Sequence, residues 1–160
     1  ILAQSFLKNV ERFEWVLQKG TELGVFAFIP LETERTERKI FLKQERWEKI
    51  LKEAAEQSGR SRIPSLLQPQ KFEKVFEEYS FVVMPHPDSH HVFSAFCKEQ
   101  KNLPQEILIC IGPEGGFSAR EIEMAEQKNA HIISLGKRIL RSETAGLVLA
   151  TLVNEWAGEL

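Results

Sequence analysis

The chain has 160 residues, 42% of them hydrophobic and 28% charged, with a formal net charge of −2. That length suits one ordinary domain, and the composition excludes a disordered chain. No apolar run approaches the ~18 residues of a membrane span, and the mildly acidic total excludes an all-round basic coat for nucleic acid.

The opening "ILAQSF" reads as a buried strand entered without lead-in. It lacks the basic and apolar regions of a signal peptide. The sequence is therefore expected to be cut from something longer and to work in the cytoplasm. Asn9 is placed to cap a helix from about Val10 to Leu23, with Phe13, Val16 and Leu17 on one face and Gly24 as its stop. "VFAFIPL" is then a short strand, and "ETERTERK" a polar loop. Residues 45–58 carry the clearest helical stripe, in Trp47, Ile50, Leu51, Ala54 and Ala55. Gly59 ends it, and "RSRIPSLLQP" is an extended connection.

"FEKVFEEY" predicts a short helix, and "FVVMP" a buried strand stopped by Pro85 and Pro87. Residues 89–100 are expected to be helical, with His90 and His91 as exposed helix residues. "EILICIG" is a buried strand. Ser118 and Glu121 form an S-x-x-E capping box that starts a helix near Ala119. "HIISLG" is a strand, "RILRSETA" a turn, and Glu143 to Trp156 a largely apolar closing helix. Strands alternate with helices throughout. The fold class is therefore α/β, with a mainly parallel sheet flanked by helices, in one domain spanning residues 1–160.

Charge is uneven. Residues 35–71 hold ten Lys and Arg against five Glu, whereas residues 72–126 hold four against ten acidic groups. Such asymmetry permits a basic face without requiring one. Cys97 and Cys110 have no second Cys or His at metal spacing, so reduced buried thiols are expected and a disulfide is the alternative.

Three strands end in unusual turns, "VVMPHP", "CIGPEGG" and "SLGKRILRSET". In an open parallel sheet, ligands bind outside the carboxyl ends of the strands. The glycines of "IGPEGGFSAREIE" let backbone approach a ligand closely. The spacing matches neither the dinucleotide fingerprint nor a phosphate loop, and Ser118 already caps the following helix. A tight structural turn explains the stretch as well as an adenosine held by backbone groups does. Lys137, Arg138 and Arg141 beside Glu143 read either as surface charge or as a ligand edge. Arg60 and Arg62 follow a helix end, where guanidinium forks suit phosphate.

"IGPEGGFSAREI" followed by "LGKRILRSETA" resembles the RsmE family of ribosomal RNA methyltransferases. "QKGTELG" (18–24), "EAAEQSGRSRIP" (53–64) and the His86–Pro87 pair fit the same pattern in order, so the likeness covers nearly the whole chain. The resemblance implies a SPOUT-type fold whose C-terminal segment is tied in a deep trefoil knot, a homodimer, and no metal. It implies transfer of a methyl group from S-adenosylmethionine to N3 of one uridine in 16S ribosomal RNA of the small subunit. It also implies an N-terminal PUA-like RNA-binding domain that this chain lacks. The implied cofactor-binding residues are Met84, Pro85, His86, Ile111, Gly112, Gly115, Gly116, Leu135, Gly136, Ile139, Leu140 and Thr144. Arg141, Glu143 and Glu114 are the candidate catalytic residues, with His86 a further proton acceptor. Arg60, Arg62 and Arg138 are the candidate RNA contacts. Three rival readings are a knotted methyltransferase acting on a tRNA ribose 2′-hydroxyl, a dimeric ribosome-binding module without turnover and, from composition alone, a generic nucleotide-binding α/β domain.

Overall fold

The computed structural model describes residues 1–36 and 43–159. The last part of the "ETERTERK" segment lies outside the described residues; Thr33 to Thr36 form a turn closed by the Thr36 N–H donating to the Thr33 carbonyl at 3.1 Å. The strands are β1 (Leu2–Ser5), β2 (Ala27–Glu32), β3 (Ser65–Leu66), β4 (Gln70–Lys71), β5 (Val82–Pro85), β6 (Leu108–Ile111) and β7 (His131–Ile133). The helices are α1 (Val10–Glu22), α2 (Gln44–Gln57), α3 (Phe72–Glu78), α4 (Phe93–Glu99), α5 (Ala119–Gln127) and α6 (Ser142–Ala157).

Every strand pairing is parallel. The order is β3-β2-β1-β6-β5-β7, with β4 also on β2. The first strand thus lies in the middle, and the chain winds outward from it in both directions. Alternation along each strand sorts the apolar residues onto two faces. Leu2, Phe28, Val83, Ile109 and Ile111 pack with α1, α2, α4 and α6 on one side. Ala3, Ile29, Leu31, Val82, Met84, Leu108 and Cys110 pack with α3 and α5 on the other. The expected α/β class is observed. Both cysteines are free thiols. They lie on opposite faces of the sheet, Cys97 against the first core and Cys110 in the second, so the disulfide alternative is excluded. Burial in the apolar interior pushes the Cys110 thiol well above its ordinary range.

Helix α1 follows its sequence closely. The Asn9 side chain accepts from the Glu11 N–H at 2.8 Å, and Gly24 takes φ +91° at the other end. Gly20 lets the helix approach β2, where a Cβ would stand 2.8 Å from the Phe28 ring. Helix α1 meets α2 around a buried Glu14, whose carboxylate accepts from Arg46 at 2.6 Å and from the Trp47 indole at 3.3 Å.

Two expectations need correction. The connection at 60–69 contains β3 and leads directly into β4, and these two-residue strands are too short to show a period. The helix expected over 89–100 begins at Phe93. Ahead of it, Ser89 Oγ donates to the Ile132 carbonyl at 2.9 Å, and the Ser134 N–H donates to the His91 carbonyl at 2.8 Å. Val92 then forms a parallel bridge with Ser134. These bonds extend the sheet and hold His90 and His91 outside the helix.

Candidate functional site

The three strand-end turns converge. Beyond the carboxyl ends of β5, β6 and β7 lies a cavity of about 750 Å³, within the range of small-molecule sites. Its walls come from residues 85–88, 111–117, 134–136 and 138–142, with Arg12, Arg35 and Ala145. Of the residues implied by the resemblance, Pro85, His86, Ile111, Gly112, Gly115, Gly116, Leu135, Gly136, Ile139 and Leu140 all line it. So do Glu114, Arg138 and Arg141.

The turns are held from beneath. Ser142 Oγ donates to the Gly112 carbonyl at 2.5 Å and accepts from Gln4 Nε2 at 2.8 Å. This buried chain ties the first residue of α6 to the glycine turn through the central strand. The turn is braced on its outer side as well. Arg35 Nη1 donates to the Gly115 carbonyl at 2.7 Å, and Glu114 Oε1 accepts from the Lys8 N–H at 3.0 Å. Gly116 takes φ +67° and Gly136 φ +111°, and a Cβ on either would meet nothing within 4 Å. Both glycines therefore serve backbone conformation and leave room at the cavity wall. Ser118 and Glu121 form the expected capping box. The α5 N-terminus is therefore satisfied by protein rather than left open for an anion.

Apolar walls from Ile111, Leu135, Ile139 and Leu140 suit a flat aromatic base. Ile139 is 84% exposed at the rim. Charge is mixed, with four arginines against Asp88 and Glu114. The Asp88 N–H donates to His86 Nδ1 at 3.3 Å, so a neutral His86 carries its proton on Nε2.

Several expected residues are placed elsewhere. Met84 is fully buried in the second core and does not reach the cavity. Thr144 lies one position past Glu143 in α6 and is not part of the wall. Glu143 is buried behind the wall, its Oε1 3.5 Å from Arg12 Nη1. Arg60 is not free for phosphate. Its Nη1 donates to the Thr21 and Val25 carbonyls at 2.8 Å each, which closes the C-terminal end of α1. Desolvation there lowers its pKa from the ordinary value. Arg62 lies over the Phe26 ring, 4.1 Å from its centroid. Both arginines lie at the amino end of β2, the edge opposite the cavity.

Sequence reading missed Gln4, Arg12, Arg35 and Ser142. No local motif marks the first three, because topology brings them to the loops from early in the chain. Ser142 stands inside the "RSET" turn, but its role depends on the buried Gln4.

Among the described residues no helix is long and apolar enough to cross a membrane, and no cluster of His, Cys, Asp and Glu is arranged to hold a metal. The sequence pattern described as "RNA methyltransferase domain" matches residues 1–154. Ribosomal RNA small subunit methyltransferase E of Bacillus subtilis (strain 168) is 36% identical, covering 94% of this chain and 63% of that protein. The protein of that name from Synechocystis is 42% identical, covering 89% and 48%. The crystal structure of the Neisseria gonorrhoeae protein of that name, bound to S-adenosyl methionine, superposes with a TM-score of 0.86 at 29% identity. The match covers 96% of this chain and 64% of that one. The chain thus spans about half to two thirds of the length of these relatives.

Proposed function

Because the chain belongs to the RNA methyltransferase domain family, and within it to the RsmE group, we propose that it carries the cofactor-binding and catalytic part of an S-adenosylmethionine-dependent methyltransferase. Its substrate in this reading is N3 of a uridine in 16S ribosomal RNA. One observation carries the proposal: three glycine- and proline-marked turns from separate strands form a single cavity with apolar walls and exposed backbone. Such a cavity fits an adenosine and a thioether, and the match covers nearly the whole chain.

When bound, S-adenosylmethionine supplies an electrophilic methyl carbon without need of a metal. The chain's own residues must bind, orient and move a proton. Gly112, Gly115, Gly116 and Gly136 would offer backbone groups to the adenosine, and Leu135, Ile139 and Leu140 would supply apolar surface for it. Uridine N3 carries a proton and is a poor nucleophile until that proton leaves. A cation beside the base favours the deprotonated form, and Arg141, at the cavity wall where α6 starts, is the candidate. Glu114 is the preferred proton acceptor, because it lines the cavity whereas Glu143 does not. His86 is less suited, since the lone pair of its neutral form, on Nδ1, already accepts from the Asp88 N–H. Arg138 remains a candidate RNA contact.

The same reading extends to the whole protein. It includes cytoplasmic action, a homodimer, an RNA-binding PUA-like domain outside residues 1–160, and the C-terminal trefoil knot. The path of the chain supports the knot, since after edge strand β7 it returns to pack α6 over β1 and β6.

Calorimetric titration with S-adenosylmethionine tests the site, with ATP as control and Gly115→Val as the blocked form. A Cβ at Gly115 meets Arg35 at 3.5 Å, an ordinary contact, so the variant is expected to fold while its branches crowd the wall. Selective binding lost in the variant is the expected result. No binding by the folded chain would overturn the reading.

A further inference from the structure

Arg12 reaches the cavity from a helix that no loop motif includes. It stands in the opening turn of α1, its N–H donating to the Asn9 carbonyl at 3.2 Å. Its side chain is 39% exposed and lines the cavity, whereas the Glu143 side chain behind it is 9% exposed. The two meet at 3.5 Å, and Glu143 Oε2 has no hydrogen-bond partner among the described residues although it is buried. The carboxylate therefore faces Arg12 rather than the cavity.

The neighbouring charges are differently engaged. Arg35 holds the Gly115 carbonyl, and the Glu114 carboxylate accepts from the Lys8 N–H. Among the described residues, Arg12 is the cavity arginine paired with a buried carboxylate. A guanidinium anchored in this way has less rotamer entropy to lose when its other N–H groups take an anionic oxygen.

Resting on the proposed RNA methyl transfer, we propose that Arg12 contacts the RNA substrate at an anionic oxygen and that Glu143 is its positioning residue rather than a proton acceptor. Such an oxygen belongs either to a backbone phosphate or to the uracil ring as its N3 proton departs.

The test uses the full chain, unmethylated small-subunit ribosomal RNA, and the variants Arg12→Ala, Arg12→Lys, Glu143→Gln and the Arg12→Ala/Glu143→Gln pair. RNA affinity is measured against salt without cofactor, and methyl transfer against pH. Cofactor titration and thermal unfolding serve as fold checks. Arg12→Ala should lower RNA affinity or kcat/KM about tenfold or more, as for loss of a charge-assisted contact, in a chain that still folds and still binds cofactor. Arg12→Lys should restore part of the loss. A phosphate contact should reduce the salt slope by about one. A uracil contact should leave that slope unchanged and move the rise in rate to higher pH. Glu143→Gln should weaken the wild-type chain but add nothing to Arg12→Ala.

Wild-type affinity, rate and pH profile in Arg12→Ala would overturn the contact. A full Glu143→Gln loss persisting without Arg12 would overturn the positioning role. A wild-type chain that binds RNA but transfers no methyl group would count against the functional reading instead, and the affinity measurements would still decide Arg12.

Discussion

Gly146 shows how one buried atom reverses an ordinary expectation. It lies inside α6, where exchanging glycine for alanine normally gains about 1 kcal/mol in helix propensity. Here a methyl group would stand 2.8 Å from Gln4 Oε1. Gln4 is 1% exposed and its amide nitrogen is bonded to Ser142 Oγ, so it cannot swing aside cheaply. Overpacking of this kind costs about 1–3 kcal/mol. Gly146→Ala should therefore lower the melting temperature, by roughly 2–4 °C per kcal/mol lost in a chain of this size. Thermal unfolding measures it, and a rise would show that the Gln4–Ser142 pair is soft.

His131 gives a pH-dependent counterpart. Its ring lies 4.5 Å from the Phe81 ring and 4.9 Å from the Phe96 ring. Burial, and secondarily the charge of His91, lowers its pKa from the ordinary value. His91 itself is within 3.2 Å of Glu99. The folded state thus prefers neutral His131. Its contribution is intact above the ordinary histidine pKa of about 6.5 and is lost as pH falls from there through the lowered folded-state value. Melting temperatures taken across that window should decline on the acid side, and His131→Phe should flatten the decline.

At the scale of elements, the α5 cap does more than begin a helix. Glu121 is 3% exposed and accepts from the Ser118 N–H at 2.8 Å and from the Glu34 N–H at 2.9 Å. One carboxylate thereby joins the helix start to the turn after β2. Ser118→Ala removes the reciprocal bond and should cost about 1 kcal/mol. Glu121→Ala strands two backbone donors and should cost more, on the order of 2–3 kcal/mol. Equal losses in urea unfolding would show that the link to Glu34 contributes nothing.

The S-x-x-E spacing announced this cap, as Asn9 and Gly24 announced the limits of α1. Elements with a period or a cap were legible in this way. The link from Glu121 to Glu34 was not, because it crosses 87 positions of chain. The stretch before α4 misled for a related reason. Its residues tolerate a helix, and only the neighbouring β7 segment, 43 positions away in the Ser89 bond, turns them into sheet.

For the molecule as a whole, the three strand-end turns were readable as a ligand crevice because a parallel sheet gathers such turns at one edge. Its arginines were not separable on paper. Arg60 and Arg12 look alike in sequence, yet one closes a helix at the amino edge and the other lines the cavity at the carboxyl edge. The sheet that makes this division begins with β1, which lies between β2 and β6. On the ribosome, β2 can join β1 early, but β6 ends at Ile111, about 100 residues after β1. At synthesis rates of roughly 5–20 residues per second, one edge of the central strand waits on the order of 5–20 seconds for its partner. During that interval the growing chain presents an open template to any other extended segment. Among the described strands, the one that anchors the finished sheet is, at birth, the one whose edge stays open longest before it is paired.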